Sequence, residues 1–297
     1  MFFHIEHTTE YVYSAPATES FSELRLRPRD SLRQKISRHQ TQVQPAVPVE
    51  SYLDYFGNYV ETVSVPFRHH KLIVTSACNV TTHPFVNALT GLDLTISEAR
   101  LLYKPRQREL HDFLRPSPYI TFSRATQKLT DELLPVRASF SAAVLRLNHH
   151  IFTHFKYRPG ATNVATTVPE FLRLREGVCQ DFAHLTICLL RHAGIPARYV
   201  SGYIETDPLP GANAGSQLIG ATASHAWVEV FTPNGFWVGL DPTNDMLEGE
   251  RHVQIGIGRD YADVPPLQGI FKGADRQSLS VQVRVRRAET MPERNGV

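Results

Sequence analysis

Over the first 85 residues, hydrophobic and polar positions alternate with a period of two. Leu24 and Leu26 fall between Glu23, Arg25 and Arg27, the pattern of a strand with one buried face. HIEHTTEYVY, ESFSELRLRP, KISRHQTQVQP, YVETVSVP and KLIVTSACNV are short strand-like runs divided by turn signals. One such signal is Asp54-Tyr55-Phe56-Gly57-Asn58, where Gly and Asn tolerate positive φ. Strands at this spacing predict a β-sandwich-like domain over residues 1–85. After Pro84 the alternation stops. Residues 86–144 mix helical stretches with breaks such as Arg115-Pro116-Ser117-Pro118 and read as a connector with helices.

From Ala138 to Tyr157 the pattern is helical. Ala143, Leu147, Ile151 and Phe155 recur every four residues, and Pro159-Gly160 ends the run. Thr167 with Glu170 three residues later forms a capping-box pattern that opens a short helix stopping at Gly177. The next helix is predicted from Cys179 to Ala193, closed by Gly194-Ile195-Pro196. Phe182, Ala183, Leu185, Ile187, Leu189 and Leu190 make it apolar on most faces, so it belongs inside a domain. Strand-like runs ARYVSGYIE, SHAWVEVF and GFWVGLD follow, the last two joined over Thr232-Pro233-Asn234-Gly235. Helices followed by antiparallel strands predict an α+β core over residues 145–250. Residues 251–297 read as a C-terminal extension completing the sheet, with LSVQVRVRR as a last strand.

Composition narrows the classes of function. The chain has 297 residues, 42% hydrophobic and 20% charged, enough for about two domains with real cores. Thirty-one Lys and Arg against 29 Asp and Glu leave a net charge of +2, so neither nucleic acid nor a membrane surface is an expected partner. No apolar run approaches a membrane span, and MFFHIEHTTEY lacks the apolar core of a signal peptide. Three sparse cysteines, Cys78, Cys179 and Cys188, are no disulfide framework. They fit a reducing compartment, and a cytoplasmic protein is expected.

The chemistry centres on Cys179. At a helix start, the unpaired N–H groups and the helix dipole favour a thiolate. That position alone fits a small core residue equally well. Helix geometry excludes its neighbours as partners. Cys188, nine residues on, points to the opposite face, and His184 turns roughly 140° away at about 100° per residue. Cys188 reads as core and His184 as a surface or satisfied histidine. Asp181 in the first turn suits the dipole. A base must come from elsewhere. Alternation puts His225, Trp227, Glu229 and Phe231 on one strand face. Folding back over residues 232–235 brings Asp241 opposite residues 225–228, making it a cross-strand neighbour of His225. Taken together, Cys179 reads as nucleophile, His225 as its base and Asp241 as the group that orients the imidazole.

Arg175-Glu176-Gly177-Val178-Cys179-Gln180-Asp181-Phe182-Ala183-His184 resembles the transglutaminase-like superfamily. So do Gly194 to Tyr203, Ser224-His225-Ala226-Trp227-Val228-Glu229 and Gly239-Leu240-Asp241-Pro242-Thr243. More narrowly, the chain is similar to bacterial transglutaminase-like proteins described as cysteine proteases. The resemblance is strongest over residues 145–245. It extends to the N-terminal β-rich segment and to the tail around Gly258-Arg259-Asp260-Tyr261-Ala262-Asp263-Val264-Pro265-Pro266. It implies a papain-like core with Cys, His and Asp in that order, the Cys at a helix start and the other two on adjacent strands. Eukaryotic transglutaminases resemble one another in an upstream Trp that serves as second oxyanion donor, whereas Trp227 and Trp237 both lie downstream of Cys179. Tyr157 and Asn163 are the alternatives for that second donor beside the Cys179 N–H.

The implied activity is cysteine-dependent acyl transfer on a peptide or protein amide, with hydrolysis favoured over amine acceptors and no cofactor or metal. The rivals are a protein-glutamine transglutaminase, a non-catalytic peptide-binding module and a zinc-bound Cys–His site. Other candidates read as structural. His150 and His154 have metal-compatible spacing but no third ligand. His69-His70 beside Lys71 reads as a solvated turn. Arg284, Arg286 and Arg287 read as an exposed sheet face.

Overall fold

The alternating first region folds into two packed antiparallel sheets. The structure is a computed structural model that describes residues 1–85, 88–207, 218–220 and 224–288; residues 86–87 of the connector and 289–297 of the extension lie outside the described residues. The early strands are β1 (Phe2–Ala17), β2 (Glu19–Leu24), β3 (Gln34–Gln44), β4 (Val49–Leu53), β5 (Tyr59–Val65) and β6 (His69–Thr82). Tyr11, Tyr13, Leu72 and Val74 from one sheet meet Leu24, Val63 and Val65 from the other in a shared core. β4 had no strand signal, because it is an edge strand with little buried surface to impose alternation. His69 corrects the solvated-turn reading. The turn ends before it, and its buried ring bridges Ser20 Oγ at 3.0 Å and the Phe67 carbonyl at 2.8 Å.

The central region begins with α1 (Ile96–Tyr103), α2 (Gln107–Leu110) and α3 (Arg124–Leu133), the helices of the connector. Then come α4 (Phe140–His154), β7 (Lys156–Tyr157), α5 (Val168–Leu174), β8 (Glu176–Gly177) and α6 (Cys179–His192). A five-stranded antiparallel sheet follows, built from β9 (Ala197–Ile204), β10 (His225–Phe231), β11 (Trp237–Asp241), β12 (Met246–Leu247) and β13 (His252–Gly258) in the order β12-β11-β10-β9-β13. One side of this sheet packs on α6, with Ala226, Val228, Val230 and Leu240 in one core with Phe182, Leu185 and Leu189. The fold is α+β, as expected.

The predicted extension splits between the two regions. β13 joins the central sheet, whereas β14 (Leu267–Lys272) pairs with β2 and β15 (Gln277–Arg287) with β1. The sandwich is therefore closed by both ends of the described chain. Its contact with the central sheet is apolar and specific. Phe3, Ile5, Cys78 and Val80 pack with Tyr203, Val253 and Ile255. Two side-chain amides also satisfy the open edge of β13. Gln34 donates to the Gln254 carbonyl at 2.7 Å and accepts its N–H at 2.8 Å. Asn58 does the same at Ile257, with both bonds at 2.8 Å. These bonds replace the strand partner that the edge lacks.

Candidate active site

Cys179 is the first residue of α6 and only half buried. The chain enters the helix through a tight cap. The Val178 N–H donates to Asp181 Oδ2 at 2.8 Å, and Thr162 Oγ1 donates to the same oxygen at 2.6 Å. Gly177 makes this closure possible. A Cβ there would lie 2.5 Å from Asp181 Oδ2 and 2.8 Å from the Phe171 ring. Burial raises the pKa of the Asp181 carboxyl, against its hydrogen bonds to Thr162 and Val178. Asp181 thus builds the helix entrance, and the first-turn N–H of Cys179 has no acceptor one turn earlier in the helix.

His225 opens β10 opposite Gly202 of β9. A Cβ on Gly202 would fall 2.2 Å from the Val253 carbonyl and 2.5 Å from the Trp227 ring, so the strand can sit this close only with glycine there. The register Val228↔Leu240 brings the end of β11 beside the start of β10. There His225 Nε2 lies 2.8 Å from Asp241 Oδ2, and both side chains are fully buried. Burial opposes a charge on His225, but Asp241 and then Cys179 outweigh it and push its pKa up to about 10. Asp241 pays a desolvation cost of its own, yet His225 and then His252 hold it far below the usual carboxylate range. Both shifts favour the imidazolium–carboxylate form of the pair. His225 Nδ1 is buried without a directional hydrogen bond. The Cys179 thiol is within electrostatic reach of the ring.

The other sequence candidates separate cleanly. Cys188 is fully buried, with its thiol 3.4 Å from the Thr121 carbonyl and burial pushing it up to about 12. His184 is a core histidine rather than a surface one, with Nε2 paired and Nδ1 buried without a hydrogen-bond partner. It stacks on Tyr119 and accepts the Tyr261 N–H at 3.2 Å, and burial lowers its pKa to about 3. Asn163 folds its Oδ1 onto the Ala165 N–H at 2.9 Å and is a turn residue. Tyr157 is different. β7 runs parallel to β8 with Tyr157 opposite Gly177, and burial together with the neighbouring Cys179 pushes its hydroxyl up to about 12. His150 and His154 stack at 3.8 Å, and His154 bonds back to the His150 carbonyl.

Three site residues escaped sequence reasoning. His252, at the start of β13, places Nε2 3.2 Å from Asp241 Oδ2. Asn244 donates to Asp241 Oδ2 at 2.7 Å, while its own Oδ1 accepts the Ile219 N–H at 2.8 Å. Gly220 passes so near the imidazole that a Cβ would lie 3.0 Å from His225 Nδ1. Asn244 lies three residues beyond Asp241, a spacing that suggests a turn onto its carboxylate. For His252 no local signal exists, since HVQIGIG alternates like any strand. His225, Asp241 and His252 have ligand atoms all within 4.8 Å, a spacing that a metal ion can bridge. In this structure both histidines bond the Asp241 carboxylate.

Residues 126–242 match the transglutaminase-like superfamily and residues 3–81 the bacterial transglutaminase-like N-terminal region. An uncharacterized protein of Mycobacterium tuberculosis is 40% identical over 95% of this chain and 92% of its own length. One from Mycobacterium leprae is 34% identical over 95% and 98%. The chain belongs to the transglutaminase-like superfamily. A protein-glutamine gamma-glutamyltransferase of Pseudomonas aeruginosa is 38% identical over 46% of this chain and 21% of its own length. The solved structure of a candidate cysteine protease from Cytophaga hutchinsonii covers 98% of this chain and 93% of its own, with a TM-score of 0.72 at 22% identity, and shares the fold.

Proposed function

We propose that the protein catalyses acyl transfer from amide bonds of peptides or proteins, with Cys179 as nucleophile, His225 as acid and base, and Asp241 as the orienting carboxylate. The observation that carries this reading is the buried His225–Asp241 pair, with its proton-bearing imidazole beside a half-exposed thiol at a helix N-terminus. In the resting pair the proton shared by Cys179 and His225 already sits on the imidazole, and the thiolate attacks the carbonyl carbon. The Cys179 N–H receives the developing oxyanion, with the Tyr157 hydroxyl as its second donor. His225 returns the proton to the leaving amine as the C–N bond breaks, leaving a thioester. Water then attacks the thioester while His225 takes its proton, and the carboxylic acid leaves as the thiol re-forms.

Hydrolysis is the preferred reading, with water as the acyl acceptor. The name of the Pseudomonas relative favours the second reading, in which a primary amine takes the place of water. The test is the rate of iodoacetamide labelling at each cysteine between pH 4 and 9, read by mass spectrometry in wild type and His225→Ala. Fast labelling of Cys179 alone, persisting well below pH 8 and lost in the variant, supports the triad. Labelling no faster than a free thiol overturns it in favour of a peptide-binding module. Glutamine-containing peptides, with and without a primary amine, then separate the two acyl acceptors.

A further inference from the structure

Asp241 is held by more than the histidine it serves. Its Oδ1 accepts the N–H groups of Thr243 at 3.0 Å and Asn244 at 3.2 Å. Its Oδ2 accepts His225 Nε2 at 2.8 Å, Asn244 Nδ2 at 2.7 Å and His252 Nε2 at 3.2 Å. Asn244 and the backbone donors come from the turn that follows Asp241. His252 comes from β13, at the other edge region of the sheet. It therefore supplies the one hydrogen bond to the Asp241 carboxylate from beyond the β10–β11 hairpin and its turn, among the described residues.

The proton on His252 is located by its second bond. Nδ1 faces the Gly249 N–H at 3.2 Å and must accept, so the proton of a neutral ring sits on Nε2 and points at Asp241. Two imidazoles share one carboxylate, and the shifts favour the cation on His225. Burial lowers the pKa of His252, with Asp241 working against that and the charged His225 adding to it. Trp227 closes the space between the rings, 5.1 Å from His252 edge-on and 6.0 Å from His225.

The geometry points to His252 as a positioning residue of the triad: a neutral imidazole that fixes the rotation of the Asp241 carboxylate and through it the ring of His225. This inference rests on the triad reading. It also gives the sandwich a part in the chemistry. Val253 and Ile255, next along β13, are clamped by Phe3, Ile5, Cys78 and Val80, and Gln34 holds the Gln254 backbone. The N-terminal region thus anchors the strand that anchors the acid. His252 lies outside the matched superfamily segment, which ends at residue 242.

The test uses the full chain with His252→Leu, which removes the donor, and His252→Gln, whose amide reaches the same point and keeps it. Site-resolved iodoacetamide labelling of Cys179 at pH 7 is expected to fall about tenfold in His252→Leu, the scale of one charge-assisted hydrogen bond, and to recover in His252→Gln. Nitrogen-15 imidazole spectra of the wild type are expected to show His252 neutral with its proton on Nε2 at pH 7. A cationic His252 or the opposite tautomer overturns the proposal. So does equal loss of labelling in both variants with a matching fall in Tm, which is what a purely structural role gives. If His252→Leu labels like an activated wild type, only this proposal falls. If wild-type Cys179 is itself no faster than a free thiol, the triad reading falls first.

Discussion

Cys179 and Arg191 stand at the two ends of α6, and the protein treats those ends in opposite ways. At the C-terminal end the Arg191 guanidinium, 2% exposed, uses its donors on fixed oxygens. It bonds the carbonyls of Ala197, Arg115 and Arg259 and the hydroxyl of Ser117. Sheet, connector and the segment leading to the sandwich are all tied to that one side chain. At the N-terminal end hydrogen-bonding capacity is left uncommitted. Cys179 is only half buried, His225 Nδ1 has no directional partner, and the Cys179 N–H has no acceptor one turn earlier in the helix. A helix immobilised at one end can present a nucleophile at the other without the thiol itself being buried. Cys188 shows the alternative on the same helix, where full burial pushes the thiol up to about 12 and leaves it inert at neutral pH.

The comparison is broken most severely at the reactive end. Cys179→Ala is expected to cut amide turnover by more than about 10⁴-fold, whereas Cys188→Ala keeps the rate per folded molecule. Steady-state kinetics on any substrate found by profiling checks both.

The charge pair behind the thiol is the next lever, through pH. The folded pKa of His225 is raised from 6.5 to about 10, so the stability it contributes is complete below pH 6.5 and is lost as pH rises through 10. Asp241 is depressed from 3.8, so its contribution is present above pH 3.8 and fades as pH falls below it. Urea unfolding across pH 5 to 10 should show this alkaline loss in wild type and a flatter profile in His225→Ala.

At the anchored end, Arg191→Met strands buried carbonyl oxygens and should cost about 3 kcal/mol in urea unfolding. Gly202→Ala, which forces a methyl group against the Val253 carbonyl and Trp227, should cost about 2 kcal/mol and slow Cys179 labelling as well, since His225 lies directly opposite. The smallest effect is expected at the helix entrance. Asp181→Ala removes the acceptor for Val178 and should cost about 1 kcal/mol by thermal unfolding. Labelling of Cys179 that survives Arg191→Met in the folded fraction but falls in Gly202→Ala would separate anchoring from activation.

Local signals found the elements that local physics controls. The Thr167–Glu170 capping box does open α5, with the Glu170 carboxylate on the Thr167 N–H at 2.8 Å. The turn at residues 232–235 does join β10 to β11, and its length set the register that brings His225 to Asp241. β4 and the inward turn of His69 were missed because an edge strand and a strand's first residue carry too little periodicity to reveal their faces.

By itself the sequence determined the period of each segment, the caps and turns between them, and the spacing of Cys179, His225 and Asp241. The caps and turns depend on neighbours within a few residues, and the pairing of His225 with Asp241 on one hairpin. Only the tertiary structure decided that β13 brings His252 to the same carboxylate, that β14 and β15 return to the sandwich, and that Gln34 and Asn58 close an open strand edge some 200 positions away. The physical reason is that such contacts are chosen by burial and by the need to pair every buried polar group, conditions set by the assembled layers rather than by any one stretch of chain.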